Sequence, residues 1–484
     1  MAKILFINPN KWGRGITHIW IASHSGILKR SGHKVELFDC SFFADWSLNE
    51  IKLQTDNKNY LKTDYEKLIE YSSKNIFESL QKKIDKFKPD FIFWSAISSH
   101  IHAEGEYVNI QNGYEIIDKV QCHHAIKITA GLQATSATEI VLNKMPNIDY
   151  LILGESELIL KEILDLFDKD HSFKEIQGLA YCENNKIIKN QRQKIFQNLN
   201  QLAPYDYDIF DDQVFLRPYN GKVLRAVDYE LSRGCIYSCN YCVETIIQSY
   251  YGFNEFSKKT GAISNFKNYL RNKNASKIFE EIQYLSEYKN IELIRCQDTN
   301  FLTNDLKVLD DLGNKIEKSN LKIKLYIETR PEGINPKTIQ LLKKLKVDGV
   351  GMGVELADES FRKDNLNRFA SQKKTIEAFQ LLKLNNIKRT AYNIIGLPLQ
   401  DERSILATID FNKILDPDNI TVAYYSPYYG TKSQILGNEI GIFDDYENDV
   451  DSAIRSKTKN SNGLDINKLN FYKKNFVKMV RNVA

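Results

Sequence analysis

Short apolar runs separated by helical periodicity organise the first third of the chain. The runs are Ile4–Ile7, Val35–Phe38, Phe91–Ile97, Ile126–Ala130 and Tyr150–Leu153. Unbroken apolar stretches of this length read as strands buried on both faces. Between them a 3.6-residue period fits Ile19–Lys29, Tyr65–Phe87, Tyr114–Val120 and Ala137–Lys144. The alternation predicts right-handed βαβ units and a Rossmann-like, doubly wound parallel sheet over residues 1–170. In such a sheet ligands sit outside the carboxyl ends of the strands.

A second α/β series begins near Tyr229. Its candidate strands are Asp228–Ser232, Ile291–Gln297, Lys324–Glu328, Gly349–Val354, Thr390–Ile395 and Asn419–Tyr424. Candidate helices include Ser276–Glu287, Leu306–Lys318, Pro336–Leu345 and Gln372–Leu384. Six βα units in about 200 residues suit an open, partial TIM-like barrel, placed at residues 225–432. Residues 171–224 read as a connector, with a small hairpin from Gly178–Tyr181 and Lys186–Ile188 and an irregular crossing at Pro204–Asp208. Residues 246–272 are an aromatic and basic insertion, read equally as a lid, a substrate wall or a surface loop. Residues 433–484 are polar and charged, with a helix expected over Ile466–Val483.

Composition changes this picture little. Of 484 residues, 42% are hydrophobic and 26% charged, as in an ordinary globular protein, and the net charge of +4 marks no basic patch for nucleic acid. The apolar run of Met1–Asn8 is too short for a signal peptide, and no stretch nears the roughly 18 apolar residues of a membrane span. A cytoplasmic location without membrane attachment is the expectation. There, the seven cysteines favour metal or redox chemistry over disulfides.

The densest chemistry is Ser232–Cys242, which carries Cys235, Cys239 and Cys242 just after a predicted strand, at the catalytic end of a barrel. Thiolates are the usual ligands of iron–sulfur clusters. Three of them on a cubane leave one iron open for an amino and carboxylate chelate. A zinc site and an inert buried trio are the competing readings. Structural zinc wants four ligands, and no His follows His171 while Cys296 is the only later cysteine.

The CxxxCxxC spacing, with Tyr241 before the last cysteine, resembles the radical S-adenosylmethionine (SAM) superfamily. The likeness covers roughly residues 225–430. Gln297–Phe301, containing Asp298, is similar to the family's Asp-x-Asn-Phe run. Glu328-Thr329-Arg330 ends the third strand. Gly353-Val354-Glu355 resembles the Gly-x-Glu run, and Ile394–Pro398, around Gly396, the segment that meets adenine. Pro427–Thr431 resembles the usual end of the barrel. The resemblance implies a [4Fe-4S] cluster on the three cysteines and SAM held by Glu355, Arg330 and the Gly396 strand, with Tyr241 and Asp298 also among the cofactor-binding positions. Tyr424, Tyr425, Tyr428 and Tyr429 read equally as cavity wall or packing.

The first domain resembles the cobalamin-binding domain that precedes the barrel in one radical SAM subgroup. Asn8-Pro9 closes the first strand, and Gly32–Asp39 is similar to the subgroup's second strand. Ser95 and Gly131 stand where corrinoid domains place small residues, and Gly154-Glu155-Ser156-Glu157 resembles a Gly-Glu-x-Glu run. The run Asn8–Gly13 lacks the histidine that ligates cobalt in many corrinoid proteins. His100, His102, His123 and His124 could face corrin or substrate but read as surface residues, and His33 as structural. Cys40, Cys122 and Cys182 could in principle hold a second cluster, as in methylthiotransferases, though their positions do not suggest convergence. Cys296 reads as a cavity or core residue.

These resemblances imply a cobalamin-dependent radical SAM enzyme. SAM would be cleaved reductively to a 5′-deoxyadenosyl radical, and an unactivated carbon of a small-molecule substrate would be methylated. An electron donor such as flavodoxin or ferredoxin would supply the electron. A non-methylating cyclisation, rearrangement or oxidation is the alternative. A corrinoid-binding sensor with a non-catalytic barrel is an alternative of another class.

Overall fold

A computed structural model describes residues 1–56, 61–95, 109–167, 172–443 and 463–482. His100 and His102 lie outside them. The chain divides into two compact units, Met1–Asp228 with Ile246–Gly252, and Tyr229–Thr245 with Phe253 onward.

The first unit contains β1 (Lys3–Asn8), β2 (Lys34–Asp39), β3 (Phe91–Trp94), β4 (Ile126–Ala130), β5 (Tyr150–Ile152), β6 (Leu179–Glu183) and β7 (Lys186–Lys189). They form one sheet in the order β2-β1-β3-β4-β5-β6-β7, parallel through β5 and antiparallel thereafter. The order reverses between β1 and β3, which makes the carboxyl ends of those strands the topological switch point. Leu5, Ile7, Ile92, Trp94 and Leu151 are fully buried in the core beneath one face.

Two differences from the sequence reading have local causes. The hairpin expected inside a connector extends the sheet, through Leu151 opposite Ala180. The helix expected over Tyr65–Phe87 is two helices, Tyr65–Leu68 and Ile76–Phe87. Between them Ser72 bridges Phe43 in extended backbone, and Asn75 then restarts the helix by accepting the Glu78 N–H at 3.1 Å. Leu199, Leu202 and Ala203 of the expected connector pack on Ile27 of the first helix.

The remaining strands are β8 (Leu216–Tyr219), β9 (Lys222–Tyr229), β10 (Ser232–Arg233), β11 (Arg271–Asn272), β12 (Leu293–Cys296), β13 (Lys324–Thr329), β14 (Val347–Glu355), β15 (Lys388–Ile395) and β16 (Asn419–Tyr424). The larger sheet runs β16-β15-β14-β13-β12-β9-β8, with parallel pairing from β12 to β16. This is the curled, partial barrel of an α/β protein. The helices Leu306–Lys318 and Gln372–Leu384 fall on the expected residues. Helices Glu359–Leu366, Glu402–Leu415 and Lys432–Glu439 were not anticipated.

The last helix, Ile466–Arg481, is part of the barrel's shell. Leu469, Tyr472, Phe476 and Val480 share one core cluster with Ile395, Ile405, Ile409 and Val422. No helix among the described residues is long and apolar enough to cross a membrane.

Candidate active site

Cys235, Cys239 and Cys242 lie on the loop after β10, at the end where the parallel strands finish. Gly234 opens that loop at a φ of 98°, and a Cβ there would fall 2.6 Å from the Tyr269 carbonyl oxygen. Only glycine meets both demands. Buried Glu244 accepts the Cys235 N–H at 3.1 Å and the Tyr269 hydroxyl at 2.5 Å. Ser238 N–H donates to the Gly261 carbonyl and Ile263 N–H to the Ile236 carbonyl, each at 2.8 Å. This part of the 246–272 insertion is therefore a wall of the cysteine loop. On the other side the Asn367 amide donates to the Ser238 carbonyl at 2.6 Å, and Asn240 N–H to the Leu366 carbonyl at 3.1 Å.

Asp298 anchors the segment that leads into the loop. Its carboxyl group accepts from Leu231 N–H and the Asn304 amide, each at 3.1 Å, and from the Ser232 hydroxyl. Burial pushes its pKa up to about 6 against these hydrogen bonds.

Burial pushes Cys235 up to about 12, with the Glu244 charge as the second cause. Burial and then the Cys239 charge push Cys242 up. The thiols thus lie within electrostatic reach of one another. Among the described residues no group of three or more His, Cys, Asp or Glu side chains closes around one ion. A single zinc ion needs donors about 2.3 Å from one point, whereas a cubane puts each thiolate on its own iron and takes a wider triangle. Three thiols with no other cysteine or histidine on the loop suit a cubane with one open iron.

Charged groups crowd the same strand ends. Arg330, just past β13, directs Nη1 to Cys239 Sγ at 3.8 Å, pairs with Glu332 at 2.6 Å and lies 3.8 Å over the Tyr237 ring. The Tyr241 hydroxyl donates to Glu355 Oε1 at 2.9 Å. Arg368 is 3.7 Å from that oxygen and donates to the Gly353 carbonyl at 2.5 Å. Burial works against the Arg368 charge, but Tyr241 and Glu355 beside it hold the guanidinium above its ordinary range. Glu355 has a φ of +61°, and a Cβ at Gly353 would fall 2.1 Å from its Oε1. The glycine is what lets this carboxylate fold back over β14. Gly396, at a φ of +82°, donates its N–H to Gln400 Oε1 at 2.7 Å, which closes the turn after β15.

Arg368, Glu332 and Glu244 are site residues that sequence reading missed. Each stands in a loop or helix start where a charged residue is ordinary; Glu244 follows Cys242 by two residues, whereas the fold brings Arg368 and Glu332 to the cysteine loop. Of the four tyrosines, Tyr425 is core beside Leu356 and Leu397, and Tyr424 donates outward to Asn470 at 2.6 Å.

In the first unit, Asn8, Ser95, Gly131 and Gly154 close or follow β1, β3, β4 and β5, at the strand ends of one sheet. The Asn8 amide donates to Asp39 Oδ1 at 3.1 Å, while Asn8 Oδ1 and Asp39 Oδ2 are buried without a partner among the described residues. The Ser95 hydroxyl donates to the Ala130 carbonyl at 3.2 Å. Gly131, at a φ of +120°, caps the helix Leu132–Ser136. Gly154 N–H donates to Thr135 Oγ1 at 2.9 Å, and Glu155 N–H to the Tyr251 hydroxyl at 2.8 Å. Small residues and unpartnered polar atoms at these strand ends suit a ligand with a polar tail. His33 is structural, paired with Asp165 at 3.0 Å. His123 and His124 are exposed. Cys40 and Cys122 sit in the hydrophobic core and Cys182 is exposed, so these three do not converge. Cys296 is buried.

Residues 229–411 match the family profile described as the Radical SAM superfamily. An uncharacterized methyltransferase of Pyrococcus horikoshii is 24% identical over 356 residues, 74% of this chain and 71% of the relative. The anaerobic magnesium-protoporphyrin IX monomethyl ester cyclase of Rubrivivax gelatinosus is 22% identical over 456 residues, 91% of this chain and 71% of the relative. Among solved structures, the radical SAM methyltransferase TsrM of Kitasatospora setae, with cobalamin and a [4Fe-4S] cluster bound, aligns at a TM-score of 0.65 and 14% identity, over 91% of this chain and 79% of that one. The cobalamin-dependent radical enzyme OxsB aligns at 0.59 and 14% identity, over 91% of this chain and 55% of that one. These likenesses show a shared fold. With its cysteine motif on the strand-end loop of the matched barrel, the chain is similar to the radical SAM superfamily over residues 229–411.

Proposed function

We propose that this chain is a cobalamin-dependent radical SAM enzyme that methylates an unactivated carbon of a small molecule. The observation that carries the reading is the loop of Cys235, Cys239 and Cys242 at the strand ends of a parallel partial barrel, clamped on both sides by backbone hydrogen bonds. When bound, the cluster supplies the electron that breaks a carbon–sulfur bond of SAM, and cobalamin carries the methyl group. The protein's own part is positioning, electrostatics and exclusion of water.

In this reading Cys235, Cys239 and Cys242 hold the cluster. Arg330 offers a guanidinium beside Cys239 and so favours negative charge on sulfur. Glu355, aimed by Tyr241 and Arg368, takes the ammonium or ribose hydroxyls of SAM. The Gly396 turn presents backbone to the adenine. Asn8, Ser95, Gly131, Gly154 and Glu155 would hold cobalamin, and the Asn8–Gly13 run contains no histidine to ligate its cobalt.

A second reading, a non-methylating cyclisation, is favoured by the cyclase of Rubrivivax gelatinosus, which matches 91% of this chain. Anaerobic reconstitution tests both. The expected result is a corrin spectrum together with 5′-deoxyadenosine released under reduction, and with methyl-labelled SAM the label enters product. Release of 5′-deoxyadenosine with product but no label selects cyclisation. Absence of 5′-deoxyadenosine removes both.

A further inference from the structure

Glu328 stands two residues before Arg330 on β13, hence on the same face and roughly 6–7 Å deeper along the strand. The alternate residues Ile327, Val350, Met352 and Ala391 are fully buried, whereas Arg295, Glu328, Gly353 and Tyr392 are half-buried. Side chains alternate across a strand, so the half-buried set shares the interior face of the barrel.

On that face the Tyr392 hydroxyl donates to Glu328 Oε1 at 3.0 Å, and the Tyr392 and Tyr326 hydroxyls lie 2.7 Å apart. Gly351 makes room for the pair. A Cβ there would fall 2.6 Å from the Tyr392 hydroxyl and 2.8 Å from that of Tyr326. The two tyrosines therefore hold the carboxylate in one orientation. Among the described residues Glu328 has this one hydrogen bond and no ion pair. A half-buried carboxylate with one occupied oxygen and no cation at ion-pair distance, Arg295 of the same face lying instead over the Tyr326 ring at 5.8 Å from its centroid, has lost water without full compensation. A cation supplied from outside would complete it.

The geometry points to Glu328 as the recognition site for a protonated amine on the substrate, aimed by Tyr392 and Tyr326 inside the barrel whose mouth carries the cysteine loop. The inference rests on the radical SAM reading of that barrel. It makes Glu328 a specificity residue, since a substrate with a carboxylate in the same place would meet an uncompensated like charge.

Saturation-transfer NMR on the reconstituted holoenzyme, with 2-phenylethylamine, N-acetyl-2-phenylethylamine and phenylacetate as probes, tests it. The amine is expected to bind about tenfold more tightly than the other two. Glu328→Gln abolishes the preference, and Tyr392→Phe, which keeps ring and carboxylate, reduces it. Equal binding of the three probes by the wild type overturns the proposal, as does a preference unchanged in Glu328→Gln. Cluster absorbance reports folding of each variant. If Glu328→Gln fails to load iron, Tyr392→Phe decides, and an unchanged preference there overturns the proposal. Failure of the enzyme reading is read separately: wild type that cleaves no SAM yet keeps a Glu328-dependent amine preference loses the catalytic role alone.

Discussion

Asp298 is a buried acid with three hydrogen-bond donors and no cation among them. Its pKa in the folded chain, about 6, lies above the ordinary carboxyl value of 3.8, with burial as the main cause. The folded state therefore holds this proton more tightly than the unfolded state. The stability it contributes is full below the ordinary value and is lost as pH rises to about 6, with no further change above. Relative to Asp298→Asn, the wild type is expected to lose on the order of 2 kcal/mol between pH 4 and pH 7. Urea midpoints of both proteins at the two values measure this, and a difference independent of pH contradicts it. Residues of this kind were only partly legible. Cys235, Cys239 and Cys242 stood out because all three thiols share one loop. Asp298 was singled out among the cofactor-binding positions, and its bonds to Leu231 and Ser232 also make it an anchor of the loop's approach. Arg368 carries no local signal, because its partners Gly353 and Glu355 lie on β14, and Glu332 pairs with Arg330 two residues before it, a spacing that does not stand out in sequence.

At the scale of elements, legibility followed local consistency. Leu306–Lys318 and Gln372–Leu384 combine periodic apolar positions with capping by Asp305 and Ser371, and both ends were readable. Glu402–Leu415 carried the same signals, an Asp401 cap with Ile405 and Ile409 following, and was passed over. Glu359–Leu366 is mostly polar and is set by its Asp358 cap and by Arg362, which donates to the Leu356 and Ala357 carbonyls. The hairpin of β6 and β7 was seen, but its pairing with β5 was not, because backbone hydrogen bonds leave no mark in side-chain pattern. The final helix was expected, while its burial was not. Phe476 is fully buried there among Ile395, Ile405 and Val422. Phe476→Ala is expected to cost about 3–5 kcal/mol, read as a lowered urea midpoint. A loss under 1 kcal/mol would mean that the helix does not pack on the barrel as described.

For the whole molecule, the α/β class and both parallel sheets followed from strand–helix alternation, since each strand must be covered on both faces. The order β2-β1-β3-β4-β5 then sets which strand ends can share a ligand. Parallel pairing from β12 to β16 likewise gathers the strand ends of residues 229–411 on the side that carries the cysteine loop. What the three thiols hold decides the chemistry of the barrel. Iron analysis and electron paramagnetic resonance of the anaerobically reconstituted chain measure it. The predicted result is about four irons per chain, with a signal in the reduced protein that changes on adding SAM and vanishes in Cys235→Ala, Cys239→Ala and Cys242→Ala. Zinc in place of iron, or a signal that survives all three substitutions, would contradict it.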